Sequence, residues 1–425
     1  MVENIRTMIL LHTSDWHLGQ TFFGFDREIE HEHFLEWLLV QVQENSADVL
    51  LIAGDVFDVS NPSAAAQRMF YEFVQKVTSQ NPSLQVVIIA GNHDSPYRIE
   101  APLPLVADKN VVIKGVVPKL DNQILYDELI VPLKDRDGVV GGYCLAVPYL
   151  RQGDYPKVES ENPYNSGVNE LYEELYRRVN SIKKTNQAIV AMGHLQALGS
   201  DIAKIDHSEK MVVGGLEGVN TGVFKKFDYT ALGHIHKAQR LAKTDSIRYA
   251  GSPLAMSFAE KNYKHGIVKV VLDGSETISI EKIDYKPLVD LLSIPSNSSS
   301  LISEVFEELE KLPKIEENED RKEQRKGYPY LEVKVRLTEP EPLLAKKIGD
   351  VLENRQVRLA RIVNDFVRKD ADSDEEIITK GLSDLGPFDI ASRYYQNTYN
   401  SDMPSELKEL FREVCANLTI GGGNK

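Results

Sequence analysis

The chain has 425 residues, enough for two or three domains at roughly 150 residues each. Its 64 acidic against 49 basic residues give a formal charge of −15. That balance excludes a protein that grips nucleic acid through overall basicity, while leaving room for a local basic groove or a bound cation that reverses the field.

Cys144 and Cys415 are the only cysteines, which argues against a disulfide framework and against a thiolate metal cluster. The opening stretch "MVENIRTMILLHTSD" is apolar over too short a length for a signal peptide, and Met8 is a candidate alternative start, with residues 1–7 then expected to be a loose extension. No window approaches the ~20 apolar residues of a membrane span. The expectation is a reduced, cytoplasmic, soluble protein with no membrane contact.

In chain order, five short apolar runs stand out: "MILLHTSD" (8–15), "DVLLIAGD" (48–55), "QVVIIAGNHD" (85–94), "QAIVAMGH" (187–194) and "YTALGHIH" (229–236). They are apolar on consecutive residues rather than alternate ones, the pattern of strands buried on both faces of an α/β sheet. Helical patterns lie between them. "FLEWLLVQVQ" follows the first run, and "AAAQRMFYEFVQKV" follows the second with Met69, Phe70, Phe73, Val74 and Val77 on one stripe. "LYEELYRRVNSI" precedes the fourth with Leu171, Tyr172, Leu175, Tyr176 and Val179 at helical spacing. These stripes are core and carry no function. The βαβαβ alternation runs to about residue 115; "YCLAVPYL", "IRYAGSPL" and "HGIVKVVLDG" then read as further strands. Either a mixed sheet or two stacked sheets with helices outside fits.

A change comes near residue 285. The turn-rich "IPSNSSS" leads into a helix, "LISEVFEELEKL", and the polar "EENEDRKEQRKG" (316–327) reads as an exposed loop. "YLEVKVRL" alternates Leu331, Val333, Val335 and Leu337 against Glu332, Lys334 and Arg336, a strand with one wet face. A helix at about 342–353 and the strand "QVRLARIV" complete a small α+β domain. Residues 369–400 read as polar and extended, "SELKELFREVCANL" as an amphipathic helix (Leu407, Leu410, Phe411, Val414, Leu418), and "GGGNK" as disordered. The domains expected are 1–284, 285–368, and a linker with a C-terminal helix over 369–425.

The five runs end in metal-ligand side chains. They are Asp15 and His17, Asp55 and Asp58, Asn92 with His93 and Asp94, His194, and His234 with His236. In open α/β sheets the loops past the strands' carboxyl ends converge on one crevice. Gathering Asp15 and Asp55 there is costly unless a cation neutralises them. Mixed oxygen and nitrogen donors without thiolate suit Mn²⁺, Fe²⁺ or Zn²⁺ better than Ca²⁺. Seven donors (Asp15, His17, Asp55, Asn92, His194, His234 and His236) are too many for one ordinary ion and about right for two that share a carboxylate. His12, inside a strand, His31 and His33, on a helix, and His207 and His265, in polar segments, are expected not to bind metal.

The set "DxH…GDxxD…GNHD…GH…GHxH" resembles the calcineurin-like metallophosphoesterase superfamily. "LLHTSDWHLGQTF", "AGDVFD", "AGNHDS", "ALGHIHKAQ" and "YAGSPLAMSF" resemble its SbcD branch, the bacterial counterpart of the Mre-type nucleases, over about residues 8–260. The resemblance implies an α/β/β/α sandwich, with the small α+β domain as a capping domain. It implies two Mn²⁺ ions, with Mg²⁺ or another divalent ion possible. One is held by Asp15, His17, Asp55 and His236, the other by Asp55, Asn92, His194 and His234, with Asp55 bridging. His93 matches the catalytic histidine. Asp58 matches a residue that orients that histidine in related phosphatases, although many Mre-type proteins have histidine at that position. The seven ligand positions do not depart from the pattern.

The function implied is a 3′-to-5′ double-strand exonuclease and a single-strand and hairpin endonuclease. It would act with an SbcC-type coiled-coil ABC ATPase in DNA end processing, repair and recombination, as a homodimer within a heterotetramer. His93, not counted as a ligand, is left to stabilise or protonate the leaving oxygen. Lys334, Arg336, Arg358 and Arg361 are candidates for DNA contact, and the C-terminal helix for docking the ATPase. The alternative is a phosphatase or small-molecule phosphodiesterase of the same fold. Against it, Asp58 is followed by Val59 and Ser60 rather than by the Arg-Gly usual in protein phosphatases.

Overall fold

A computed structural model describes residues 7–105, 109–201, 218–315 and 324–366, together with 391–392, 395–396, 399, 401–405 and 407–411. The chain divides into two compact units, 1–289 and 290–425.

In the first unit, β1 (Met8–Thr13), α1 (Glu28–Glu44), β2 (Val49–Ala53), α2 (Ala64–Gln80), β3 (Gln85–Ile89) and β4 (Val111–Lys114) follow in order. The four strands lie parallel and adjacent. After them come β5 (Ile130–Lys134), β6 (Val140–Ala146), α3 (Pro163–Ile182), β7 (Ala188–His194), β8 (Tyr229–Gly233), β9 (Gln239–Arg240) and β10 (Ile247–Tyr249). They form a second six-stranded sheet in the order β9-β10-β8-β7-β6-β5. The chain then returns to the first sheet, where β11 (Gly266–Asp273) lies antiparallel beside β1 and β12 (Glu276–Asp284) forms the edge.

The consecutive apolar runs now have a physical reason. Along β2, Leu50 and Ile52 join the core under α1 and α2, whereas Val49, Leu51 and Ala53 join a second core with Cys144, Val190, Met192 and Ala231 of the other sheet. A third core lies under α3, with Leu171, Tyr172, Leu175 and Val179 buried. Two sheets face to face with helices outside make the α/β/β/α sandwich; the single mixed sheet is excluded. His12 of β1 and Tyr229 of β8 tie the sheets together (Nδ1 to OH, 2.9 Å) inside this middle layer. Among the described residues, no helix is long and apolar enough to cross a membrane.

The edge strand β5 escaped the sequence reading because Pro132 interrupts it; proline donates no ladder hydrogen bond and is tolerated at an edge. At the edge strand β12 no residue is fully buried, so no apolar run marks it.

In the second unit, β13 (Leu291–Ile294), β14 (Ser300–Leu301), α4 (Ile302–Leu309), β15 (Tyr330–Leu337), α5 (Leu344–Leu352) and β16 (Arg358–Phe366) follow in order. The other three strands all run parallel to β15. Leu331, Val333, Val335 and Leu337 pack with Val305, Leu309, Leu344 and Ile348, as the alternation implies. The wet face needs correction. Glu332 is 2% exposed, because Arg361 (2.5 Å) and Lys334 (3.2 Å) close over it and Ser293 Oγ donates to it (2.9 Å). Arg358 is buried with its guanidinium 3.9 Å over the Tyr330 ring, and only Arg336 of the four basic candidates is exposed. A second correction concerns 369–400: residues 391, 392, 395, 396 and 399 are helical rather than extended, and Tyr399 packs on Tyr395 and Phe366. Of the C-terminal helix, Leu407, Leu410 and Phe411 are helical. Val414 and Leu418 lie outside the described residues, as do His207, Cys415 and the terminal "GGGNK".

Candidate metal centre

Three strands of the first sheet and two of the second stop at one edge of the sandwich, and each delivers side chains beyond its last hydrogen bond. After β1 the chain must turn Asp15 and His17 to the same side of a buried residue between them. It does so with positive φ at both (54° and 48°), while Trp16 drives into the core against Phe34 and Phe73 and donates from its indole to Thr13 (2.9 Å). Asp55 (φ 49°) and His234 (φ 101°) are also in this region. Each such non-glycine residue costs on the order of 1–2 kcal/mol, a strain that clusters at functional sites. Backbone bonds from Asp15 N–H to Gly54 O (3.0 Å) and from His17 N–H to Asp55 O (3.0 Å) hold the first two loops side by side.

The glycines ahead of the donors are required by contact. A Cβ on Gly91 would lie 2.1 Å from Asp55 Oδ1, and one on Gly233 would lie 1.9 Å from the Ala53 carbonyl. The first approach brings the second and third loops of the first sheet together, and the second lets the His234 loop of the other sheet meet them.

All seven predicted metal donors come together. Asp15, His17 and His236 form one group, and Asp55, His194 and His234 another, with ligand atoms within 4.8 Å of one another in each. Asn92 Oδ1 sits between His194 Nε2 (3.0 Å) and His234 Nδ1 (2.9 Å). Asp15, His17, Asp55, His194 and His236 are buried; Asn92, His93 and His234 are half-buried. Asp15 Oδ1 accepts from His234 N–H and Asp55 Oδ1 from His93 N–H, both at 2.8 Å, which aims the carboxylates.

Whether these residues fit a cation is decided by two observations. First, His194 Nδ1 lies 2.9 Å from the Ala53 carbonyl, which only accepts, so Nδ1 carries a proton. The neutral ring then points its Nε2 lone pair at Asp55 Oδ2 (3.2 Å) and Asn92 Oδ1 (3.0 Å), so three acceptors converge. A proton or a metal ion must lie among them. Without metal it is a proton. Burial alone would depress the His194 pKa, but Asp55 outweighs it and raises the ring to about 9. Burial would likewise raise Asp55, but His194, with His17 and His93, holds it well below the usual carboxylate range. Second, both ring nitrogens of His17 are buried and make no hydrogen bond, although Asp55 and Asp58 carboxylates lie 3.8 and 3.3 Å away. Donor identity and orphaned imidazole both fit divalent cations.

His93 and Asp58 also stand here, in a third group with His17. The Asp58 backbone carbonyl accepts from His93 Nδ1 (2.6 Å), whereas its carboxylate approaches His17. His234 is pushed down to about 3 by burial and by His194, which keeps it neutral and available as a ligand.

Among the described residues, the other histidines expected not to bind metal are not members of these groups. His33 meets Tyr285 OH (2.7 Å), His265 meets the Ser252 carbonyl (2.8 Å), and His12 and His31 are core residues, each lowered to about 3 by burial. Two carboxylates went unassigned. Asp94 accepts from the N–H groups of Val56, Phe57 and Gly91 and so joins the second and third loops; burial and Asp55 raise it to about 6. Glu260 lies behind His236. Asp94 stood in plain view in "GNHD", but nothing local marks Glu260.

A family model described as calcineurin-like phosphoesterase matches residues 8–238, and one described as type 5 capsule protein repressor C-terminal domain matches 287–399. The SbcD subunit of nuclease SbcCD from Rhodobacter capsulatus is 32% identical over 360 residues, covering 83% of this chain and 86% of that protein. The SbcD subunits of Escherichia coli K12 and Bacillus subtilis are each 29% identical, over 70% and 66% of this chain and 73% and 71% of their own lengths. Among solved structures, a dimetal phosphatase from Danio rerio aligns with 66% of this chain and 99% of its own at 13% identity, with a TM-score of 0.38.

Proposed function

The chain belongs to the calcineurin-like phosphoesterase family and, within it, to the SbcD nucleases of SbcCD complexes, and on that premise we propose the reaction and partners of this metal-dependent hydrolase. It is read as a 3′-to-5′ double-strand exonuclease and a single-strand and hairpin endonuclease. It acts with an SbcC-type coiled-coil ATPase on DNA ends, in the cytoplasm, as a homodimer within the larger complex. The observation that carries the chemistry is the convergence of Asp55, Asn92 and His194 acceptor atoms on one point beside the orphaned His17.

Asp15, His17, Asp55 and His236 would hold one Mn²⁺, and Asp55, Asn92, His194 and His234 the other. When bound, two such ions supply charge to the phosphoryl oxygens and acidify an attacking water. The protein's own residues do the rest. Asp55 and Asp15, aimed by backbone N–H groups, need no reorganisation to receive cations. His93 is half-buried at the mouth, and its Nδ1–H is fixed on the Asp58 carbonyl. Its Nε2 is therefore the atom that carries a proton to the departing sugar oxygen. Asp58 keeps a role here through its carbonyl, while its carboxylate lies 3.3 Å from His17 Nδ1 without a hydrogen bond to it.

Exposed Arg336 is the proposed DNA contact on the small unit, since Lys334 and Arg361 are committed to Glu332. The C-terminal helix is the proposed docking element for the ATPase; Leu407 (40% exposed) and Leu410 (56%) leave apolar surface uncovered. Deletion beyond residue 400 should abolish co-purification with the partner, and retention would refute that role.

The test of the activity is one assay. Purified protein with Mn²⁺ is offered labelled duplex DNA, hairpin DNA and a small phosphomonoester, with chelator controls. Chelator-sensitive shortening of duplex from its 3′ ends and nicking of the hairpin are expected. Rapid phosphomonoester turnover with intact DNA would instead establish the phosphatase alternative.

A further inference from the structure

His236 is the predicted ligand with a fully buried carboxylate behind it. Glu260 is 0% exposed; its Oε1 lies 3.1 Å from His236 Nδ1, and its Oε2 accepts from Met256 N–H (2.8 Å). A carboxylate removed from water is tolerated only when its oxygens are used, and here one serves its own loop and the other serves the histidine.

The segment that carries Glu260 is locked to the His236 loop at several points. Ser252 N–H donates to the His236 carbonyl (3.0 Å). Gly251 has φ +78°, and a Cβ there would come within 2.6 Å of that same carbonyl, so this approach needs glycine. Ser257 caps the short turn Phe258–Glu260 through Ala259 N–H (3.3 Å), and Phe258 packs on Phe22 at 5.3 Å between ring centroids. From the other side Arg27, paired with Glu30 (2.9 Å), donates to the Ala255 carbonyl (2.8 Å). So many fastenings on a connection without regular structure point to a position that matters.

We propose that Glu260 is a positioning residue for the metal site: by accepting from His236 Nδ1–H it fixes the tautomer and aim of that ring, leaving Nε2 as the metal-binding nitrogen. A carboxylate behind a ligating imidazole also makes the ligand more basic, and removal of such partners typically weakens metal affinity by about 10–100-fold. The inference rests on the reading of His236 as a metal ligand.

The experiment is a Mn²⁺ titration of the full-length chain by calorimetry, comparing wild type, Glu260→Gln, His236→Ala and the double variant, with thermal melting as the folding control. Glu260→Gln nearly preserves shape but removes the charge. It should weaken one of the Mn²⁺ sites by about 10–100-fold, lower DNA cleavage at limiting Mn²⁺ and recover at excess Mn²⁺. In the His236→Ala background the same change should have little further effect, because the two act as one unit. Wild-type Mn²⁺ affinity in Glu260→Gln overturns the proposal, and so does an equal loss with and without His236. No Mn²⁺ binding by the wild type sinks the metal-centre reading itself, and with it this proposal. If the variant misfolds, NMR of histidine-labelled wild type loaded with diamagnetic Zn²⁺ decides: His236 protonated at Nδ1 supports the role, and protonation at Nε2 overturns it.

Discussion

Glu332 in the small unit and Asp55 in the sandwich are both buried carboxylates, yet they are answered in opposite ways. Glu332 has Arg361 at 2.5 Å, Lys334 at 3.2 Å and the Ser293 hydroxyl at 2.9 Å, so permanent cations and a donor satisfy it within its own domain. Around Asp55 the neighbours are imidazoles and backbone N–H groups, with another carboxylate, Asp58, on the far side of His17. The groups that gather there are histidines and carboxylates: Asp15, His17 and His236, then Asp55, His194 and His234. A carboxylate closed off by guanidinium is structural. One surrounded by titratable lone pairs has room for an added charge, and the added charge is the function.

That contrast is broken or sharpened by substitution. The largest effect is expected at Asp55→Asn, which removes the carboxylate proposed to bridge the two ions. DNA cleavage should fall by roughly 10³-fold or more, since charge stabilisation by bound ions is worth several kcal/mol. The metal-free variant should stay folded, judged by circular dichroism. Next, His93→Ala should keep the wild-type Mn²⁺ stoichiometry in calorimetry and lose about 10²–10⁴-fold in turnover, the usual span for a lost acid. Full activity in that variant contradicts its role.

Glu332→Gln is the counterpart, and it should leave cleavage chemistry at saturating Mn²⁺ unchanged. Its cost, read by denaturant unfolding, should be about 1–3 kcal/mol, below the value for a fully buried pair because Arg361 and Lys334 keep partial contact with water. Loss of activity without loss of stability there would erase the distinction between the two carboxylates.

The smallest effect is one of pH. With His194 raised to about 9 from its ordinary 6.5, the pair's contribution to metal-free stability is fully present below about 6.5 and is lost as pH rises through about 9. With Asp55 depressed from 3.8, its part is present above about 3.8 and lost as pH falls. Metal must displace the His194 proton, so Mn²⁺ affinity should rise up to about tenfold per pH unit between about 7 and 9, with proton release in calorimetry. A flat profile contradicts the shared site.

Much of this site was legible because its signals are local. "DWH", "GNHD" and "GHIH" each sit just beyond a doubly buried strand, and topology alone brings such ends together. What stayed hidden depends on partners far along the chain. Glu260 gains meaning only from His236, and Glu332 looked like a wet-face residue until β16 brought Arg361 across from the neighbouring strand. The carboxylate of Asp58 stands 3.3 Å from His17, and it is the carbonyl of the same residue that holds His93. β5 was missed because its proline is compatible with an edge that the sequence does not identify.

The most direct test is anomalous diffraction from crystals of the full chain soaked in Mn²⁺. Two peaks are expected, one among Asp15, His17 and His236 and one among Asn92, His194 and His234, with the Asp55 carboxylate touching both. No peak in that crevice, or manganese bound elsewhere while His194 keeps its contact with Asp55, would contradict the account.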